Sequence, residues 1–569
     1  MPVETPSRRA RPFLCIPAHA TISLSQLNRA ARGGRARSIF AVSTRTTVFT
    51  PVALSLEDLL GREYVEAACA ASAFLRGGES EACARLARRK VRFFPKAMQR
   101  RLLALLPRVG APCAPPLAAT ARGASTDAFV AHTNTAAAPL AGFGYYRLAE
   151  NGRLFLTSKS EHYHAPLGHS FPGYGLLEHA RRLGVPNATH NNTRGYVTRR
   201  LEEELVAAAA GLDRGDRASL DALFASTSPT AMNRVLNLET GSVAAEAALK
   251  LLLARFHAPQ SGGKPPRYRG RTPVFLVLGD DGGGLEANYH GTAVAAQLLR
   301  GMWPDLARGL ERSGALVVRA VPPNDLARLE AAFAEYDREP YKVAGFIYEP
   351  VMMNYGARRL TEEFVARAHA LCEASDAPAV VDEIQTCIWG RELFFFREYG
   401  VSPAAIVLGK GFPGGEYPAS RIIFSGTLDS LPQFGALVTN GQEEIASLAY
   451  LVTMRWAAAN AAVTGAVGEY YEERLRGLAD RHRGCIHAIE GRRHLSGIAF
   501  HSLEEGKAFT GHLNQAGLDI SVQTYKTDCP PCALTKLPLI AGYEVADFVI
   551  ARMEAALARL GTARGAGER

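Results

Sequence analysis

At 569 residues, with 47% hydrophobic and 21% charged residues, the chain has the composition of a soluble globular protein large enough for more than one domain. No apolar stretch is long and charge-free enough to span a bilayer, which argues against a helical membrane protein. The formal charge of +10 would favour nucleic acid only if it were clustered on a suitable fold with aromatic interleaving, and neither is visible, so no nucleic acid and no membrane are expected as partners.

Before Glu57 the only acidic residue is Glu4, against Arg8, Arg9, Arg11, Arg29, Arg32, Arg35, Arg37 and Arg45. Residues 1–50 are therefore expected to be a disordered basic arm or a transit peptide. The expected location is cytoplasmic, or organellar if that arm directs import. Nine cysteines, scattered and odd in number, fit a reducing compartment. Cys529-Pro530-Pro531-Cys532 is the one close pair; no second pair completes a zinc site, leaving a turn-forming loop or a redox pair.

Ser55 and Asp58 fit a capping box, and Leu56, Leu59, Leu60, Tyr64 and Ala67 recur at helical spacing. Further helices are predicted around Glu79–Arg88 and Pro95–Leu105, followed by a linker over Ala111–Ser125. Gly144–Thr157 predicts a hairpin turning at Glu150-Asn151-Gly152. The nearby Glu161-His162-Tyr163-His164 places two imidazoles on one strand face, but nothing else at ligand spacing accompanies them and no metal is expected. A helix is predicted over Thr198–Ala209.

Asn237–Ala247 reads as a strand end, a small-residue turn at Thr240-Gly241-Ser242 and an Ala-rich helix. Unpaired N–H groups and the helix dipole make such a turn a phosphate site, unless it is simply a capped helix. Val274–Leu278 is a strand closing on glycines that match neither a P-loop nor a dinucleotide fingerprint. Tyr289-His290-Gly291 follows; a flat aromatic at Tyr289 is either a core tyrosine or a stacking platform for a planar cofactor. Another strand, Ala344–Tyr348, ends at Glu349-Pro350-Val351.

The stretch Val380–Pro418 is the most informative. One apolar run closes on Asp382, and a second, Ala404–Leu408, closes on Lys410 and the glycine-rich turn Gly411–Gly415. Functional side chains in open α/β sheets sit at the carboxyl ends of such strands. Singly, Asp382 is a strand cap and Lys410 a surface lysine. Together they suit pyridoxal phosphate chemistry, in which a lysine forms a Schiff base with the cofactor and a carboxylate stabilises the protonated pyridine nitrogen.

Asp382-Glu383-Ile384-Gln385-Thr386, Gly390-Arg391, Leu408-Gly409-Lys410-Gly411, Gly414-Gly415 and Tyr417-Pro418 resemble, in order and spacing, the class III aminotransferases, a branch of the fold-type I pyridoxal phosphate enzymes. The resemblance runs from about Asp127 and takes in Gly168–Pro172, Thr240–Ser242, Tyr289–Gly291, Glu349–Val351 and Thr439. It implies an α/β fold: a large domain with a mainly parallel seven-stranded sheet, a smaller α+β domain, and here an additional N-terminal helical extension. The expected division is 1–50 arm, 51–125 helical extension and linker, 126–200 first part of the small domain, 201–440 cofactor-binding large domain, and 441–569 C-terminal small domain.

By the same resemblance, Lys410 and Asp382 are catalytic, Thr240, Gly241 and Ser242 hold the cofactor phosphate, Tyr289 and His290 flank the ring, and Gln385 bonds the ring hydroxyl. Thr439 would reach the phosphate in a neighbouring subunit, which implies a homodimer. The cofactor machinery is complete, whereas the substrate side departs from the family. There Met352-Met353-Asn354-Tyr355-Gly356 replaces Gln-Gly-Glu-Gly-Gly, and Thr535, beside Lys536, replaces a carboxylate-binding arginine, while in the phosphate element Val243 falls where the family has a glutamate. The implied reaction moves an amino group from an amine or amino acid donor to a keto acid such as 2-oxoglutarate. An aminomutase, racemase or decarboxylase would use the same lysine and aspartate, and a degenerate non-catalytic homologue is the third reading. Pyridoxamine formation with a keto product marks transamination, and absence of any bound chromophore marks the degenerate homologue.

Overall fold

The computed structural model describes residues 45–567 apart from 122, 133–136, 160–163, 188–192, 260–264, 280–286, 442 and 524–528. Most of the expected basic arm, and Glu161, His162 and Tyr163 of the candidate metal pair, therefore lie outside the described residues. Among those described, no helix is long and apolar enough to cross a membrane.

The predicted capping box forms. The Asp58 N–H donates to Ser55 Oγ (3.1 Å) and the Ser55 N–H donates to Asp58 Oδ2 (2.8 Å). The helix it starts stops after Leu60, where Gly61 takes a φ of +87°, and a second helix resumes over Arg62–Arg76. Helices Ser80–Arg88 and Lys96–Leu105 follow as expected. Leu56, Leu59, Leu60 and Phe93 belong to the same buried cluster as the body of the protein. Phe94 packs edge-on to Trp456, with ring centroids 6.3 Å apart, and the Thr50 N–H donates to Asn460 Oδ1. The extension thus shares one core with the remainder.

The hairpin strands Tyr146–Ala149 and Leu154–Thr157 pair antiparallel, flanked by Pro139–Phe143 on one side and by Leu518–Asp519 on the other. A second four-stranded sheet joins Ile486–Arg492, Leu495–Phe500, Cys532–Thr535 and Val522–Gln523, all antiparallel. Cys532 opens a strand in that sheet, and neither it nor Cys529 is in a disulfide.

The central sheet has seven strands: β1 (Met232–Leu238), β2 (Thr272–Leu278), β3 (Val317–Val321), β4 (Tyr341–Tyr348), β5 (Ala379–Asp382), β6 (Ala405–Leu408) and β7 (Ser420–Ser425). Their spatial order is β1-β7-β6-β5-β4-β2-β3. Strand β7 runs antiparallel to both neighbours and every other pairing is parallel. Helices cover both faces, which is why Val274–Leu278 of β2, Ala379–Val381 of β5 and Ala405–Leu408 of β6 are continuous apolar runs. Alternate residues feed two separate cores: Val274, Leu276 and Leu278 of β2 enter one, Phe275 and Val277 the other.

The helix expected over Thr198–Ala209 spans Tyr196–Ala210. Its early start has a tertiary cause. Glu444, the first residue of the 38-residue helix Glu444–Arg481, accepts the Val197 N–H (2.8 Å), the Thr198 N–H (3.2 Å) and the Thr198 hydroxyl (2.7 Å). A carboxylate from a distant element thereby caps the first turn.

Candidate active site

The carboxyl ends of β1, β2, β4, β5 and β6 all open on one cavity of about 550 Å³. Asp382 is the last residue of β5, and Lys410 lies just past β6. Both side chains line the cavity, as do Thr240, Gly241, Ser242, Tyr289, His290 and Gln385. Eight of the nine residues read from the sequence are therefore brought together. Thr439, the ninth, lies in an exposed turn and does not line the cavity of its own chain.

Each position has a local cause. Thr240 is the N-cap of helix Gly241–Leu253, its Oγ1 accepting the Val243 N–H, so the first free N–H groups of a 13-residue helix face the cavity. The Ser242 hydroxyl accepts the Thr292 N–H at 3.1 Å, fixing this turn to the one that follows β2. Gly291 has a φ of +131°, and a side-chain carbon there would sit 2.8 Å from Ser242 Cα, so the two turns meet only because Gly291 is bare. Lys410 itself holds a left-handed backbone, φ +40°, the kind of local strain that surrounding packing imposes at functional positions.

Asp382 is 2% exposed. Its Oδ1 accepts the Ile384 N–H at 3.0 Å, and its Oδ2 lies 2.8 Å from His290 Nδ1. A histidine buried against the carboxylate, with Nδ1 protonated, orients it and holds its charge in place. Glu349, just past β4, is a member of the site whose role was not read from the sequence. Its Oε1 accepts from Asn288 Nδ2 (3.0 Å) and its Oε2 from Gln385 Nε2 (3.3 Å). Burial, together with the neighbouring Asp382 charge, pushes the Glu349 carboxyl well above the usual carboxylate range. Burial also lowers the Lys410 amine below the usual lysine range, against the pull of Glu349 and Asp382. His290, Glu349 and Asp382 could crowd a cation, since their ligand atoms lie within 4.8 Å of one another. The Asp382–His290 bond and the contacts of Glu349 with Asn288 and Gln385 set them up instead as hydrogen-bonded groups.

The polar atoms left over suit a planar cofactor. Among the described residues, Gln385 Oε1 and His290 Nε2 are buried without a hydrogen-bond partner. A ring hydroxyl would satisfy the first, a ring-nitrogen cation would pair with Asp382, and a phosphate would take the helix N–H groups beside Thr240.

On the substrate side, Asn354 lines the cavity, as its place in the altered Met352–Gly356 segment predicts. Thr535 does not: it is fully buried and accepts a hydrogen bond from the Tyr471 hydroxyl at 3.0 Å. Lys536 is equally buried, with Nζ 3.7 Å from the centroid of Trp389 and bonded to the Gln385 carbonyl.

The model of the class-III aminotransferase family matches residues 209–539, more than half of the chain and all the strand ends that build the cavity. The chain belongs to the class-III aminotransferase family. An ornithine aminotransferase from Halalkalibacterium halodurans is 28% identical to this family member over 201 residues, 34% of the chain and 44% of that enzyme. The chain thus spans less than half of that relative. An acetylornithine aminotransferase from Caldanaerobacter subterraneus subsp. tengcongensis is 25% identical over 330 residues, 56% of the chain and 76% of that enzyme. Among solved structures, the ornithine aminotransferase from Toxoplasma gondii superposes with a TM-score of 0.59 at 19% identity, covering 74% of this class-III chain and 90% of that one. That likeness shows the fold, the fold-type I arrangement expected from the sequence.

Proposed function

We propose that the protein is a pyridoxal phosphate-dependent aminotransferase, which moves an amino group from an amine or amino acid donor to a keto acid such as 2-oxoglutarate. The observation that carries this reading is the meeting of Lys410, Asp382 with its His290 partner, and the Thr240–Ser242 helix start in one cavity. Thr240, Gly241 and Ser242 would hold the phosphate, Tyr289 would stack on the ring, Gln385 Oε1 would accept from the ring hydroxyl, and Lys410 would carry the cofactor. When bound, pyridoxal phosphate supplies a carbonyl that condenses with amines and a ring that takes up the electrons of a Cα carbanion.

The chain's own part is binding and proton transfer. Asp382 keeps a negative charge where the ring nitrogen would lie, and His290 prevents it from turning away. Lys410 Nζ is the proton carrier: an amine whose pKa is depressed by burial is available in its neutral form nearer pH 7, able to take the substrate Cα proton and deliver it elsewhere on the same face. Glu349, whose carboxyl burial and the Asp382 charge push well above the usual carboxylate range, fixes Asn288 and Gln385.

The active form is proposed to be a homodimer in which Thr439 serves the neighbouring subunit. Supporting this, Phe434 is 85% exposed in the segment before Thr439, and Val294, Met302, Trp303 and Leu306 form an exposed apolar set on the segment after Tyr289–Gly291. Both segments pack on helix Gly241–Leu253.

Purified holoenzyme is expected to show the visible absorbance of lysine-bound pyridoxal, lost on adding an amine donor as pyridoxamine phosphate accumulates. Lys410→Ala should remove that absorbance and lower turnover by roughly 10²–10⁴-fold or more. A Lys410→Ala protein that converts amines at the parent rate would sink the reading.

A further inference from the structure

We propose that Arg300 is the anion receptor of the substrate site, so that the preferred donors carry a carboxylate remote from the reacting amine, an assignment that rests on the aminotransferase reading. Arg300 ends helix Val294–Arg300 and lines the same cavity as Lys410 and Asp382. Its guanidinium carbon lies 5.3 Å from the centroid of Tyr289. Among the described residues that ring is its one partner: Arg300 makes no ion pair and no hydrogen bond, and Glu239, which shares the cavity wall, is not paired with it. A cation–π contact of this kind holds the guanidinium near the ring face while leaving its fork of N–H donors unused. An unneutralised fork on a cavity wall suits bidentate binding of a carboxylate.

Among the described residues, no other cation competes for that role. Thr535 and Lys536 are turned into the core, the one against Tyr471 and the other over Trp389. His164 lines the cavity, but burial and the nearby Lys410 and Lys536 favour its neutral form. Lys410 is committed to the cofactor. A phosphate has its own receptor in the helix start at Thr240–Ser242, which leaves Arg300 for a second anion.

The test compares parent, Arg300→Ala and Arg300→Lys holoenzymes in two arms. The first measures kcat/KM for a straight-chain primary monoamine and for the ω-amino carboxylate of the same length. The ratio of the two, carboxylate over monoamine, is expected to favour the carboxylate in the parent, to drop about tenfold or more in Arg300→Ala, mainly through KM, and to recover in part in Arg300→Lys. A parent without that preference, or equal loss on both donors, overturns the proposal. The second arm measures calorimetric binding of glutarate, a dicarboxylate that cannot react, and of pyridoxal phosphate. Glutarate binding should weaken in Arg300→Ala by far more than cofactor binding does. A parent that fails to bind glutarate, or a loss confined to pyridoxal phosphate, overturns the proposal. A parent that binds glutarate through Arg300 but transaminates neither donor overturns the aminotransferase reading and leaves the anion receptor standing.

Discussion

Lys410 and Asp382 illustrate what single residues can reveal. Each stands at the end of an apolar run, and the chemistry proposed for them follows from that placement. The Asp382–His290 bond was not legible, because the partners are 92 residues apart and nothing local links them. Glu383, next to Asp382, shows the opposite case of a charged residue spent on structure. Its carboxyl accepts the Thr386 hydroxyl and the Phe396 N–H, both at 2.6 Å, and burial still pushes its pKa up to about 7. An acid whose folded pKa is raised binds its proton more tightly when folded, so its contribution favours folding most below its unfolded pKa and is lost as pH climbs through the folded value. Stability should therefore fall between about pH 4.5 and 7 by up to ~3 kcal/mol on account of this group. Glu383→Gln should flatten that slope in denaturant titrations run across the window; an unchanged slope would reject the assignment.

At the scale of elements, helix starts carry most of the argument. Ser55 with Asp58 is a complete local signal, and the capping box forms as read. The start of Tyr196–Ala210 is not local, since the carboxylate that caps it arrives from Glu444, and so its boundary was placed two residues late. Thr240 combines both kinds of information: the small-residue turn is visible in the sequence, whereas its meeting with Gly291 is a tertiary contact, since β1 and β2, which lead into the two turns, are not neighbours in the sheet. Thr240→Ala removes the cap and should cost about 1 kcal/mol of stability. In the proposed site it should also raise the pyridoxal phosphate dissociation constant several-fold, roughly the loss of one charge-assisted hydrogen bond's share. Thermal unfolding of the cofactor-free protein and fluorescence titration with pyridoxal phosphate separate the two effects.

For the molecule as a whole, the proposed second copy would cover the exposed apolar residues around Trp303 and Phe434. Light scattering should return about twice 61.2 kDa at micromolar concentration. A mass of a single chain under conditions of full activity would remove Thr439 from the proposed site.

The sequence by itself determined the central strands, the turns and nearly every residue proposed to hold the cofactor, because each of these is a short stretch whose apolar run, small-residue turn or terminal charge is a local property. It also showed that the family's arginine is missing at Thr535. Tertiary structure alone decided the strand order β1-β7-β6-β5-β4-β2-β3, the pairing of His290 with Asp382, the burial of Lys536 over Trp389 and the exposure of Arg300 to the cavity. The physical reason is the same in each case. Which face a charged side chain presents, and what neutralises it, is set by elements far away in the chain, and no window along the sequence contains both partners.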